Sequence, residues 1–278
     1  MKVCIVSRDR MAFMTTHMLF PDASIVCPES QYVGYSKVVP KKRLITCPDG
    51  CNTIAKVRNF VVSMFGKRGV FMLDDDINKC YSNMSDLRIP INESSGLMSI
   101  LDGCMTCAAD IGAMMCGFSR LSLAVGYDPS EPFKLHHWID CVVGVIGTDR
   151  GWWDEGLIMH ADVDASIQAI RRDGKVWIDE RYWFSHDRDT MPGGQSKHKT
   201  MEAVMSAAER FNRKWNPYAL AVYDAFAATN SIRWRITKKQ KLAMRRKSIK
   251  SGVARSGVRM PCEATEGSPL GPVEGARG

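Results

Sequence analysis

The chain has 278 residues, 45% hydrophobic and 24% charged, enough for one large α/β domain or two small ones around a buried core. No run approaches the roughly 20 apolar residues of a membrane span, and the charged start MKVCIVSRDR leaves no room for the apolar core of a signal peptide, so a cytoplasmic protein is expected. The net charge of +8 is unevenly spread: residues 231–259 hold eleven Lys and Arg and no acid, and 38 less 11 leaves 27 basic against 30 acidic residues elsewhere.

KVCIV is a short apolar run ending in the polar turn SRDR, as expected of a buried first strand. SIVCP and RLITCP read as the second and third strands. Asp49-Gly50 marks a turn, Asn52 or Thr53 is placed to cap a helix, and Ile54, Val57, Val61 and Phe65 follow at helical spacing up to Gly66. GVFMLDDDI is then an apolar strand running into three aspartates. Residues 97–115 read as a helix, FSRLSLAVG and HHWIDCVVGVIGT as strands, and residues 164–172 as a helix stopped by Gly174. KVWIDERYWFSH is a late strand, followed by the glycine loop DTMPGGQSKHK. A helix over residues 200–215 stops at Asn216-Pro217, and a further helical stretch is expected to about Thr229. The alternation predicts an α/β fold: a mostly parallel, Rossmann-like sheet flanked by helices. The expected division is a catalytic domain over 1–230, a basic nucleic-acid-binding segment over 231–260 and a disordered tail over 261–278.

Of the ten cysteines, Cys47-x-x-x-Cys51 and Cys104-x-x-Cys107 have spacings that merit a check for metal. The second pair sits among small and apolar residues at helical spacing, which favours a buried helix.

The strongest local signal is FMLDDDINK. A buried strand ending in carboxylates has its functional residues where open α/β sheets bind ligands. Asp74 and Asp76, one residue apart, point to the same side of an extended chain and are placed to share a hard cation, Mg²⁺ or Mn²⁺. Three adjacent carboxylates repel one another, which argues for a neutralising ligand. The alternative is an exposed acidic turn.

A first strand ending in Ser7-Arg8, the segment VCPES leading to Tyr32 and Tyr35, and GCNTIAKVRN before the strand that ends in LDDDI resemble a GT-A glycosyltransferase. In particular they resemble the TET-associated glycosyltransferases, phage enzymes inferred to glycosylate hydroxymethylated pyrimidines in DNA. The resemblance covers about residues 1–200 and is most specific in the first 80. It implies a nucleoside-diphosphate sugar as donor, taken as a UDP-sugar, with Mn²⁺ or Mg²⁺ on the D-x-D pair. It further implies transfer to a hydroxyl on DNA, in the cytoplasm of a bacterial host.

By that resemblance Ser7 and Arg8 lie at the nucleotide end of the donor, and Arg58, Asn59 and Asp75 approach the diphosphate or sugar. The planar fork of Arg58 suits phosphate oxygens; a surface ion pair is the alternative. In HADVDA, Asp162 or Asp164 matches the acid that inverting GT-A enzymes place before a helix as general base. Asp162 is preferred, because Asp164 is equally placed to cap the helix, and the familiar Glu-Asp pair is absent. His186 matches the late histidine that several GT-A families use as a further metal ligand. Gly193, Gly194 and Lys197 in the following loop suit phosphate.

Trp152 and Trp153 are candidates for a platform under a sugar or an extruded base, with core packing as the alternative. Arg233, Trp234, Arg235, Lys238, Lys239, Arg245 and Arg246 combine stacking with phosphate contact, as a DNA-binding segment requires. Two other readings stay open: a glycosyltransferase with a protein or glycan acceptor, and a metal-dependent nuclease or nucleotidyltransferase.

Overall fold

A computed structural model describes residues 1–84, 87–119, 127–186, 200–224 and 229–235. In chain order the elements are β1 (Lys2–Val6), α1 (Thr16–Leu19), β2 (Ser24–Pro28), α2 (Tyr32–Tyr35), β3 (Leu44–Cys47), α3 (Ile54–Phe65), β4 (Val70–Asp74), β5 (Ile77–Met84), β6 (Leu87–Ile91) and α4 (Ser94–Asp110). They continue as β7 (Met115–Ser119), β8 (Phe133–Lys134), β9 (Val142–Val145), α5 (Ala161–Asp173), β10 (Trp177–His186), α6 (Met201–Trp215), β11 (Ala219–Asp224) and β12 (Thr229–Trp234).

The main sheet runs β3-β2-β1-β4-β9-β7-β10-β5-β6, with β8 on β10. The first four strands are parallel, as the alternating pattern predicts. Beyond β4 the sheet is mixed: β9 is antiparallel to β4 and to β7, β10 is parallel to β7, and β5 is antiparallel to β10. Two reversals cancel, so β1, β4, β7 and β10 all point the same way. Their carboxyl ends and the start of β9 share one edge.

The strands of the first half are apolar on both faces because both faces are covered. In β4, Val70 and Met72 join a core with α3, α5 and α6, and Phe71 and Leu73 join a second core with α2 and α4. Thr53 caps α3 through its hydroxyl, which accepts from the Lys56 backbone N–H at 3.3 Å.

Three expectations are corrected. The helix read over 97–115 is α4 and stops at Asp110; Met115 already begins β7. The predicted strand FSRLSLAVG is β7 as far as Ser119, and 120–126 lie outside the described residues. The helical stretch expected after Pro217 is instead the antiparallel hairpin β11–β12. The alanine-rich β11 has helical propensity, but Asn212 on α6 holds both backbone groups of Ala221. Its Nδ2 donates to the Ala221 carbonyl at 2.9 Å, and its Oδ1 accepts from the Ala221 N–H at 2.7 Å. A side-chain amide thus takes the place of a neighbouring strand.

Candidate active site

The edge where β1, β4 and β10 end gathers the predicted carboxylates, but each has a different environment. Asp74 is the last residue of β4 and its side chain is 31% exposed, whereas Asp75 and Asp76 in the turn to β5 are buried. Asp75 accepts from Ser7 Oγ at 2.6 Å and from Arg10 Nη1 at 2.9 Å, and the same Arg10 nitrogen reaches Asp76 Oδ2 at 3.0 Å. Tyr35 closes this network with its hydroxyl 2.7 Å from Ser7 Oγ. Burial pushes the Asp75 carboxyl up to about 6, against the pull of Ser7 and Arg10. It also raises Asp74, against Arg58; Asp76 and Asp140 push the same way as burial, and His186 opposes it.

On the other side of Asp74 lies Arg58, a fully buried arginine on α3. Its Nη2 donates to Asp74 Oδ1 at 2.8 Å, and its Nη1 forms an ion pair with Asp162 Oδ1. One guanidinium therefore ties the end of β4 to the first turn of α5 across 88 positions of chain. The surface ion pair considered for Arg58 is excluded. Repulsion among the three aspartates is offset by Arg58, paired with Asp74, and by Arg10, paired with Asp75 and Asp76. Arg10, in the turn after β1, carries no local pattern that marks it.

Asp162 and Asp164 separate clearly. Asp162 lies inside α5, where it accepts from Trp153 Nε1 at 3.3 Å, and its side chain is 29% exposed. Both contacts fall on Oδ1. Asp164 is fully buried and saturated. Trp215 Nε1 at 2.7 Å and Lys214 Nζ at 2.6 Å meet Oδ1; Gln168 Nε2 at 2.7 Å and the Asp154 N–H at 3.2 Å meet Oδ2. Neither aspartate caps α5. The N-cap is His160, in the left-handed region at φ 61° with no side-chain cap bond.

Asn59 is engaged by protein groups. Its amide grips the loop before α5, donating to the Trp153 carbonyl at 2.9 Å and to Glu155 at 3.0 Å and accepting from the Trp153 N–H at 3.2 Å. Gly151 lets it approach: a Cβ there would lie 2.0 Å from Asn59 Oδ1. Trp153 is buried in the core, its ring 5.8 Å from the Arg58 guanidinium, so it offers no open platform. Trp152 is half-buried under Arg172, which lies 3.8 Å from its ring centre.

Ser7 is buried in the Asp75 network, and Arg8 donates to the Cys51 carbonyl at 3.1 Å. His186 ends β10 on the same edge as Asp74. Asp140 joins them: it precedes β9, and the carbonyl of its neighbour Cys141 accepts from the Asp74 N–H at 3.0 Å. Only the charge on Asp140 is legible in the string HHWIDCVVG; its place beside Asp74 depends on β9 running antiparallel to β4.

Arg233 and Trp234 belong to β12 rather than to a free arm. Trp234 Nε1 donates to the His136 carbonyl at 3.0 Å, and its ring stacks on His137 and tilts against Trp138. Arg235 is held by its N–H on the Tyr218 carbonyl at 2.9 Å. Gly193, Gly194 and Lys197, and Lys238, Lys239, Arg245 and Arg246, lie outside the described residues.

Among the described residues no three His, Cys, Asp or Glu side chains are gathered around one point to hold a metal. Asp76 nevertheless keeps a buried Oδ1 with no hydrogen-bond partner, an oxygen donor for a hard cation. Nor is any described helix long and apolar enough to cross a membrane.

A family model described as TET-Associated Glycosyltransferase matches residues 1–178. The match takes in β1, α3, β4 and α5 and stops within β10, so His186 lies beyond it. No curated protein matches the chain. Among solved structures, the crystal structure of A197 from STIV is similar at 8% identity, covering 67% of this chain and 85% of that one. Its TM-score of 0.32 is too low to carry an argument.

Proposed function

The chain belongs to the TET-associated glycosyltransferase family, and from that membership we propose that it moves a sugar from a nucleoside diphosphate to a hydroxymethylated pyrimidine in DNA. The observation that carries this reading is Arg58, which joins Asp74 at the end of β4 to Asp162 at the start of α5. A glycosyl transfer needs a diphosphate-binding group and a proton acceptor within one sugar ring of each other, and the shared guanidinium holds two acids at that range.

In this reading the domain over 1–230 has the GT-A arrangement. Asp74 and Asp76, with His186 drawn in, would hold Mn²⁺ or Mg²⁺; the unpartnered buried Oδ1 of Asp76 is the oxygen donor that suits such ions. When bound, such a cation would supply positive charge for the departing diphosphate. Ser7 and Arg8 take the nucleotide end, a UDP moiety by family resemblance. Asp162 Oδ2 takes the proton of the acceptor hydroxyl as the new O–C1 bond forms. The C1–O bond to phosphate breaks in the same displacement, its electron pair leaves with the nucleoside diphosphate, and the anomeric carbon inverts. The basic chain from Arg233 onward supplies the attraction for DNA that a mildly acidic body lacks.

The test uses the full chain with hydroxymethylated and plain DNA, a panel of sugar nucleotides and Mn²⁺, followed by mass analysis of the digested nucleosides. A hexose or pentose increment confined to the hydroxymethylated base is the expected result. Transfer to a protein or glycan with no increment on DNA would sink the acceptor assignment and leave the transferase.

A further inference from the structure

The turn that carries the three aspartates, from Asp74 to Ile77, is held from behind by the residues that open α1. The backbone N–H groups of Thr15 and Thr16 both donate to the Asp75 carbonyl, at 3.0 and 3.4 Å. Thr15 Oγ1 donates to the Ile77 carbonyl at 2.9 Å. Thr15 is the N-cap of α1, yet its hydroxyl makes no cap bond; it serves the aspartate turn instead of its own helix. Thr16 is fully buried. Its Oγ1 donates to the Asp74 carbonyl at 2.7 Å and accepts from the Ile77 N–H at 2.9 Å. Asp74 and Ile77 are the first and fourth residues of the turn, and a closed β-turn bonds these two groups directly to each other. Here a hydroxyl from far along the chain stands between them.

We infer that Thr16 is a positioning residue for the cation-binding acids: its inserted hydroxyl sets the width of the turn, and with it the spacing of Asp74 and Asp76. The inference rests on the divalent-cation part of the proposed function. A direct N–H to carbonyl bond brings its two heavy atoms to about 2.9 Å, whereas two bonds through one oxygen span a wider gap. Asp74 stands at one end of that gap with its side chain partly exposed, and Asp76 stands inside the turn with its buried Oδ1 unpartnered. Arg10, six residues before Thr16, holds Oδ2 of Asp76 and Oδ1 of Asp75. One stretch of chain therefore fixes both the backbone of the turn and the orientation of its inner carboxylates. Hard cations hold their oxygen ligands within a narrow range of distances, so contacts behind the ligands weigh on affinity. Thr16 acts through the two aspartates and touches no substrate.

The experiment measures Mn²⁺ binding to the full chain by electron paramagnetic resonance, with and without UDP, for wild type, Thr16→Val, Thr16→Ser and Thr15→Val. Thr16→Val keeps the shape and removes the hydroxyl; it should weaken Mn²⁺ binding about tenfold or more, the usual weight of a contact behind a metal ligand. Thr16→Ser keeps the bridging oxygen and should bind close to wild type. Thr15→Val removes a neighbouring bond to the same turn but leaves the bridge, and should also bind close to wild type. A Thr16→Val protein that unfolds cooperatively and binds Mn²⁺ as wild type does overturns the inference. Equal losses in Thr16→Val and Thr15→Val also overturn it, because they assign the effect to the anchoring of α1. If Thr16→Val does not fold, Thr16→Cys, with a weak donor and acceptor in the same place, carries the test. Its affinity should then fall, and wild-type affinity would remove the bridge from the account. If wild type binds no Mn²⁺ in either state, the cation part of the proposed function falls and the inference with it.

Discussion

Asp162 and Asp164 stand two residues apart on α5 and do different work. Asp162 keeps one carboxylate oxygen clear of the described contacts, whereas both oxygens of Asp164 are taken by side chains or backbone from α5, α6 and the loop before α5. Asp162→Asn should therefore lower kcat at least ~100-fold, the usual weight of a general base, with a modest fall in melting temperature because buried Arg58 loses one charged partner and keeps Asp74. Asp164→Asn should lower the melting temperature first, since it weakens a buried ion pair with Lys214. Steady-state kinetics beside thermal unfolding separates the two, and a stable, active Asp162→Asn protein would remove the base assignment. Arg58→Met leaves two carboxylates facing a buried gap and should destabilise the fold by about 3 kcal/mol in urea.

Asp75 has a pH signature of its own. Burial holds its carboxyl at about 6 in the folded protein, so the native state keeps a proton that the unfolded chain has already lost. Its contribution to stability is complete below the ordinary carboxylate range and is lost as the pH rises through about 6. Urea unfolding of metal-free protein should show this decline between about pH 4 and pH 7, and Asp75→Asn should flatten it. A wild-type curve that rises over that interval in the same proportion as the variant's would contradict the assignment.

At the scale of elements, α3 is the organiser of the site. Thr53 starts it, Arg58 reaches Asp74 and Asp162 from its middle, and the next residue, Asn59, clamps the loop that carries Trp153. Gly151→Ala would place a methyl carbon against the Asn59 amide and force that clamp open. The expected outcome is a loss of about 2 kcal/mol of stability with a fall in kcat, because Trp153 and through it Asp162 are released. Asn59→Ala should reproduce the kinetic defect; a normal rate in both variants would show that the loop does not position Asp162. The second half of the sheet matters for a different reason. Because β9 runs antiparallel between β4 and β7, its start lies on the edge where β4 and β10 end, which brings Asp140 beside Asp74.

At the scale of the molecule, the proposed function divides charge and catalysis along the chain. The carboxylates of the candidate site, Asp74, Asp75, Asp76 and Asp162, are paired with Arg10 and Arg58, and the excess of positive charge is carried from Arg233 onward. Ending the chain after Arg235 should leave sugar-nucleotide binding unchanged and weaken DNA binding strongly, with a shallower dependence on salt because fewer phosphates are neutralised. Parallel measurements of nucleotide and DNA affinity check this; equal loss of both would contradict the division. Trp234 is excluded from such an arm, since it is already packed against His137 and Trp138.

Local chemistry was legible in the amino-acid string. An apolar run before three aspartates marks a strand end at a sheet edge, Thr53 with its helical spacing marks α3, and GCNTIAKVRN with LDDDI carries the family that the match over residues 1–178 shows. Each of these depends on neighbours a few residues apart. The tertiary structure decided which charges meet. Arg10 lies 65 positions from Asp75, Arg58 is separated from Asp162 by most of a domain, and Asp140 reaches Asp74 only through an antiparallel pairing. The same holds for β11, where alanine content favours a helix and the Asn212 amide holds it as a strand. Secondary structure follows from short-range sterics and periodicity. Buried ion pairs and shared edges follow from strand order, which no local window of sequence contains.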